Sequence, residues 1–180
     1  MTVRAFLRSL PVFNVPLPPV EELSDDPEKQ FLVWLDDAVA AGEPEPHAMT
    51  VSTWDGALPD VRVLILKDLD ASGWWFASES TSAKGLQLAS HPVAALAFHW
   101  KSLGRQVRVR GSVAQGTREQ AVEDYLARGL GSEVPEDWAV WCLRASHVEL
   151  WQAAADRQHH RALYERSGPD WASVDRPASS

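Results

Sequence analysis

One hundred and eighty residues, 45% of them apolar and 23% charged, are enough for one domain with a sizeable core and too few for a second of ordinary size. A formal charge of −8 argues against a general binder of nucleic acid or anionic membrane, and the single cysteine, Cys142, excludes an internal disulfide and a thiolate-rich metal centre. No apolar run approaches the ~18 residues of a membrane span, and the opening MTVRAFLRSLPVF lacks the apolar length and cleavage site of a secretory signal, so the chain reads as cytoplasmic.

Residues 1–24 hold Pro11, Pro16, Pro18 and Pro19 before an acidic EELSDD, which predicts an extended N-terminal arm able to pack on a partner or cover a site. A helix is expected to open at 24–27, with acidic residues and a proline in its first turn. Phe31, Leu32, Trp34, Leu35 and Val39 then recur at helical spacing, and Gly42-Glu43-Pro44 ends the run. The period then changes. AMTVSTW (48–54), VRVLILK (61–67), WWFAS (74–78), VAALAFHW (93–100) and RQVRVRGSVAQ (105–115) read as strands, with turns at Asp55-Gly56 and Asp70-Ala71-Ser72-Gly73. In the last of these strands Gln106, Arg108 and Arg110 share one face, and Val107 and Val109 the other. Short helices are expected over 81–91, opened by Ser80-Thr81-Ser82, and over 117–127. AVWCLRASHVELWQ (139–152) makes one or two strands, broken near Ala145-Ser146, and 161–176 a final hairpin. The first three strands lie too close together for parallel crossovers. The fold class is therefore mainly β with helices, an antiparallel barrel over 25–176 with a tail at 177–180. Nine of the 16 aromatic residues are tryptophan, a bias that favours an oligomer.

Charge is unevenly spread. The window 62–110 holds seven basic side chains against three acidic ones inside an acidic protein, which suits a compact anion such as a phosphate monoester or an ordinary solvated strand face. Familiar catalytic and metal-ligand spacings are missing, and His91, His99 and His147 are scattered. Three constellations remain. Arg62 and Lys67 bracket an apolar strand, five residues apart and so on opposite faces, which suits two anions, one anion between strands, or solvated strand ends. Ser80-Thr81-Ser82 and Lys84 at a helix start suit a phosphate or simple capping. Arg157, His159 and Arg161 alternate to one side after VELWQ, suiting an anionic, proton-transferring site or a basic surface turn.

In order the chain reads RVLILK, SAKGLQLASHP, FHWKSLGRQVRVRG, VELWQ, DRQHHRALYER and a closing W…DR. This series resembles the pyridoxine (pyridoxamine) 5′-phosphate oxidase family from about Asp26 to Arg176. The resemblance implies an FMN-binding split β-barrel, of Greek-key antiparallel type, that is homodimeric, with FMN at the subunit interface and a vitamin B6 phosphate ester stacked on the flavin. By the same resemblance Arg62 and Lys84 would contact the FMN phosphate, and Gln106, Trp151 and Arg161 the flavin. Lys67, Tyr125, Arg128 and Ser132 would hold the substrate phosphate. Arg157 and His159 would lie over the substrate ring, with Arg157 assisting loss of the C4′ proton. The implied activity is oxidation of pyridoxine or pyridoxamine 5′-phosphate to pyridoxal 5′-phosphate, with no metal.

Departures from the pattern are as informative. The family's Arg-Lys pair is Ala83-Lys84, and its preceding aromatic is Ala77. Tyr125 to Arg128 is one residue tighter. The stretch from Ser132 to Trp138 is shorter by some tens of residues and carries no counterpart of the family's Gln-Ser pair. Two other readings follow from these gaps: a flavin oxidase of specialised metabolism acting on another cyclic substrate, as phenazine-forming relatives do, or a flavin-binding protein without catalysis.

Overall fold

Alternating apolar residues build a sheet whose strands are all antiparallel. The computed structural model of the chain describes residues 1–10, 17–19, 22–129, 131–154, 156 and 158–174. Within these residues the elements run α1 (Val3–Ser9), α2 (Pro27–Ala40), β1 (Ala48–Trp54), β2 (Pro59–Ile65), β3 (Asp68–Asp70), β4 (Gly73–Glu79), α3 (Ala83–Ser90), β5 (Val93–Trp100), β6 (Arg105–Gln115), α4 (Arg118–Ala127), β7 (Trp138–Gln152), β8 (His160–Ser167) and β9 (Asp170–Ser173). The strand order is β2-β1-β5-β6-β7-β4-β3, with β8 also on β7 and β9 on β8.

Strand β7 is the spine. Its first half pairs with β4, from Trp138↔Glu79 to Leu143↔Trp74, and its second half with β8, from His147↔Glu165 to Gln152↔His160. Strand β6 runs along both halves on the other side. One strand shared end to end between two partners splits the sheet, and the split is the architecture expected from the sequence. Near Ala145-Ser146, where a break is expected, β7 stays continuous but bulges: Arg110 pairs with His147 and Gly111 with Ala145, so Ser146 is the extra, unpaired residue. The bulge absorbs the extra residue without ending either strand. It needs a glycine, because a Cβ on Gly111 would sit 1.9 Å from the Arg144 carbonyl oxygen. Gly111→Ala is expected to cost about 2–3 kcal/mol through backbone displacement. A lowered urea midpoint at unchanged m would show it, and an unchanged midpoint would refute it.

The inward faces carry Met49 and Val51 of β1, Leu96 and Phe98 of β5, Val107 and Val109 of β6, and Val148 and Leu150 of β7, all buried. Helix α2 closes this core. Asp26 caps it, accepting from the Glu28 and Lys29 N–H groups, and Pro27 occupies the first turn where no N–H is needed. Its Phe31 ring packs 4.5 Å from Trp74 and 4.7 Å from Phe98. Arg105 is buried under the same helix, with its guanidinium 4.7 Å from the Trp34 ring centre and 2.5 Å from Asp37 Oδ2.

The N-terminal arm differs from expectation. Val3–Ser9 is helical, capped by the Thr2 hydroxyl accepting from the Ala5 N–H, because the prolines begin only at Pro11. Further along, the arm docks where Gln152 Nε2 donates to the Pro18 carbonyl at 2.8 Å. Strands β8 and β9 form the expected hairpin. None of the described helices is long and apolar enough to cross a membrane.

Candidate active site

Three of the four expected substrate-phosphate residues come together. Thr117 and Gln120 form a reciprocal capping box that starts α4, and helical spacing then sets Asp124, Tyr125 and Arg128 on one end of that helix. Lys67 follows β2 and is fixed by its N–H donating to the Trp75 carbonyl at 2.8 Å. The meeting point is Trp138, at the start of β7. Its indole Nε1 donates to Asp124 Oδ2 at 3.1 Å, the Tyr125 ring meets it edge-on at 5.6 Å, and the Arg128 guanidinium lies 4.7 Å over it. Lys67 Nζ stands 3.7 Å from Asp124 Oδ1. Ser132 is exposed in the following loop, and no hydrogen bond among the described residues ties it to the cluster.

Trp138 and Asp124 are the members that sequence reasoning missed. Trp138 could have been found as an aromatic at the very start of a strand, just after a helix that ends in Tyr125 and Arg128. Asp124 is a carboxylate inside a cationic cluster, a local conflict that flags a specificity or positioning role.

A second cluster sits where β2 meets α3. Arg62 Nη1 donates to Thr53 Oγ1 at 2.6 Å, and Nη2 to Asp60 Oδ2 at 2.5 Å and to Gln87 Oε1 at 3.3 Å. Gln87 also accepts from the Thr53 hydroxyl. Since Gln87 lies one turn beyond Lys84 on α3, the two cations expected at a phosphate are linked through one helix face. Ser82 caps α3 by accepting from the Gly85 N–H, and Lys84 Nζ reaches Ser82 Oγ at 3.1 Å. Asp60 is half-exposed and already pairs with Arg62, so an incoming anion competes with it.

The third cluster crosses three strands. Gln106 pairs with Trp151, which pairs with Arg161. The His159 ring lies 4.9 Å from Trp151, and His159 Nδ1 accepts from the Ala154 N–H at 3.1 Å, leaving Nε2 to carry the proton. Buried Glu149, also missed from sequence, lies between Arg108 Nη2 at 2.5 Å and Arg161 Nε at 3.4 Å. It holds the Arg161 side chain beside the Trp151 indole. The expectation for Arg157 falls outside the described residues. Cys142 takes no part, because burial pushes its pKa up to about 11 and keeps the thiol protonated at neutral pH.

Arg62 and Lys67, read as facing opposite ways, serve two separate clusters. The chain thus carries one cationic pair at a helix start, one aromatic platform with an amide and a guanidinium, and one mixed-charge cluster around an indole. Comparison with known proteins bears on the family and the fold. The sequence model of a family described as "Pyridoxamine 5'-phosphate oxidase" matches residues 35–152. A second, described as "Pyridoxine 5'-phosphate oxidase C-terminal dimerisation region", matches 138–175. A pyridoxine/pyridoxamine 5′-phosphate oxidase of Rhodopseudomonas palustris is 37% identical over 182 positions, spanning 81% of this chain and 85% of the other. One of Thermosynechococcus vestitus is 35% identical, spanning 85% and 89%. Because 81% of 180 residues is about 146, about 36 of the 182 positions have no counterpart here. Among solved structures, PhzG of Burkholderia lata, in complex with tetrahydrophenazine-1-carboxylic acid, superimposes with a TM-score of 0.77 at 23% identity, covering 84% of this chain and 92% of that one. A pyridoxamine 5′-phosphate oxidase-related, FMN-binding protein of Nostoc punctiforme does so with 0.70 at 14%, covering 86% and 100%.

Proposed function

The chain belongs to the pyridoxamine 5′-phosphate oxidase family, and from that premise we propose that it oxidises pyridoxine or pyridoxamine 5′-phosphate to pyridoxal 5′-phosphate with O2 as electron acceptor. It is an FMN-dependent oxidoreductase. The alcohol substrate loses two hydrogens, which leave with O2 as hydrogen peroxide; the amine also takes up water and releases ammonia. The observation that carries the substrate reading is the gathering of Tyr125 and Arg128 on Trp138 and of Lys67 on Asp124, the carboxylate that the Trp138 indole bonds. Two cations and a phenol gathered around one indole and its carboxylate partner match a phosphate ester attached to an aromatic ring.

The donor sets fit FMN. Arg62, Lys84 and the Ser82 hydroxyl offer charge and hydrogen bonds to a phosphate, while the Gln106 amide, the Trp151 indole and Arg161 offer polar and stacking contacts to a flat heteroaromatic ring. When bound, FMN supplies the two-electron redox chemistry. The protein's own groups bind and orient. Lys67 and Arg128 hold the substrate phosphate, His159 offers an Nε2 proton beside Trp151, and the Glu149 carboxylate keeps Arg161 aimed. Arg157 is assigned to the C4′ side of the substrate by the family resemblance.

A homodimer is the assembly in this reading. The match over 138–175 to a dimerisation region supports it, as does an outer sheet face of small residues, Thr50, Ser52, Ala95 and Ala97, edged by exposed Val61 and Val63. A second reading, oxidation of a cyclic carboxylate, is favoured by Asp124, whose charge beside Lys67 suits a monoanion better than a phosphate dianion.

Purified protein with saturating FMN and pyridoxine 5′-phosphate in air is expected to yield aldehyde and peroxide in equal amounts. No turnover with FMN bound would overturn the substrate assignment. Arg62→Ala is expected to weaken FMN binding about 10- to 100-fold, from the loss of charge-assisted bonds. Flavin-fluorescence titration measures it, and unchanged affinity would remove Arg62 from the FMN site.

A further inference from the structure

The loop between α4 and β7 is the short one, with only residues 133–137 between Ser132 and Trp138. Such a loop ought to leave Trp138 loosely placed, yet Trp138 organises the phosphate cluster. The loop is pinned from one side by Arg118, the first residue of α4. Its Nη1 donates to the Pro135 carbonyl at 2.9 Å and to the Trp138 carbonyl at 3.3 Å, and its Nη2 to the Val134 carbonyl at 3.1 Å. From the other side Asp137 anchors the loop: its carbonyl accepts from the Ser80 N–H at 2.7 Å, and its Oδ2 from the Thr81 hydroxyl at 2.6 Å.

One guanidinium on three carbonyls, two in the loop and one at the start of β7, is an unusual use of an arginine on a helix surface. The planar fork with five donors can span them; a lysine ammonium, a single point on a flexible stem, cannot. The geometry has a direct consequence. Arg118 and the cluster residues Asp124, Tyr125 and Arg128 sit on the same helix, so fixing the loop to the start of α4 fixes Trp138 relative to that helix's end. The Arg128 stack and the Asp124 hydrogen bond both depend on that placement.

We propose that Arg118 is a positioning residue for the phosphate-bearing half of the substrate: it clamps the shortened loop and thereby holds Trp138 under Arg128. The proposal rests on the reading of the Lys67–Arg128 cluster as the substrate-phosphate site. Arg118 touches neither substrate nor cofactor. Displacement of the indole by even about 1 Å is enough to cost affinity or rate on this scale.

The test uses FMN-loaded protein and two probes, pyridoxal 5′-phosphate and unphosphorylated pyridoxal, with binding followed by absorbance and fluorescence. Wild type, Arg118→Ala, Arg118→Lys, Arg128→Ala and the double variant Arg118→Ala/Arg128→Ala are compared, and folding is checked by thermal melts. Arg118→Ala and Arg118→Lys are each expected to weaken pyridoxal 5′-phosphate about tenfold and to leave pyridoxal unchanged. The double variant is expected to match Arg128→Ala, because the two act on one contact. Unchanged affinity in Arg118→Ala, equal loss for both probes, or full rescue by lysine would each overturn the positioning role. If Arg128→Ala itself binds pyridoxal 5′-phosphate as wild type does, the phosphate-site reading falls, and the proposal with it. That comparison does not involve Arg118, so the two failures are distinguishable.

Discussion

Lys67→Ala is expected to lower kcat/KM for pyridoxine 5′-phosphate by about 100-fold, mainly through KM, and Arg128→Ala by about tenfold, on the scale of about 1.5–3 kcal/mol for a hydrogen bond to a charged group. The ranking follows from Asp124. Removing Arg128, which is exposed, leaves its indole platform neutral. Removing Lys67 strips the partner from a mostly buried carboxylate 3.7 Å away, and that unpaired charge then repels the phosphate. Asp124→Asn in the Lys67→Ala background should therefore recover part of the loss. Neither single change should alter turnover of unphosphorylated pyridoxine. Steady-state kinetics with both substrates tests the ranking: equal losses for both would place these residues outside a phosphate site.

The largest effect on stability is expected beneath α2. Arg105 is 1% exposed, while its partner Asp37 is 46% exposed. Deleting the carboxylate leaves a guanidinium that cannot reach water, whereas deleting the arginine leaves an aspartate that can. Asp37→Ala should therefore cost about 3 kcal/mol, the low end for breaking a buried pair, because the Gln152 amide oxygen at 3.4 Å and the Trp34 ring still face the cation. Replacing Arg105 by methionine, which fills similar space without charge, should cost less. Denaturant unfolding of both variants decides the order; a larger loss for Arg105→Met would overturn the reasoning.

Much of the fold was legible because alternation and turn chemistry agree locally. The runs from 48 to 115 are rich in Val, Ile, Trp and Phe and are bounded by turn residues, and Thr117 with Gln120 announces a helix start. The irregularity at Ala145-Ser146 was legible, but its form as a one-residue bulge in a continuous strand was not, because the glycine that accommodates it, Gly111, lies on β6. The helix at Val3–Ser9 was hidden by prolines that begin just after it. In the site, cations were found by type and spacing, and the family resemblance sorted them into roles. The groups that aim them, Asp124, Trp138 and Glu149, carry signs or sizes that sequence alone assigns to surface or core. Their function comes from contacts across 12 to 57 positions in the chain, such as Glu149 with Arg161, Trp138 with Asp124 and Lys67 with Asp124. Arg118 is the extreme case: on a helix surface it looks like a solubilising charge, and only the loop folded over it gives it work.

The spine role of β7 has a consequence for biosynthesis. During translation β1, β2, β5 and β6 can pair with one another, but β4 finds its long partner in residues 138–143, about sixty residues later in the chain. Until the ribosome has delivered β7, Trp74 and Phe76 of β4 have no neighbouring strand on that side, and the ring cluster around Phe31 is incomplete. The nascent protein therefore emerges with its tryptophan-rich interior open, and closure is a late, non-local event. Such topologies fold on the slow side for their size, which makes the interval before β7 appears the one in which chaperone binding matters most.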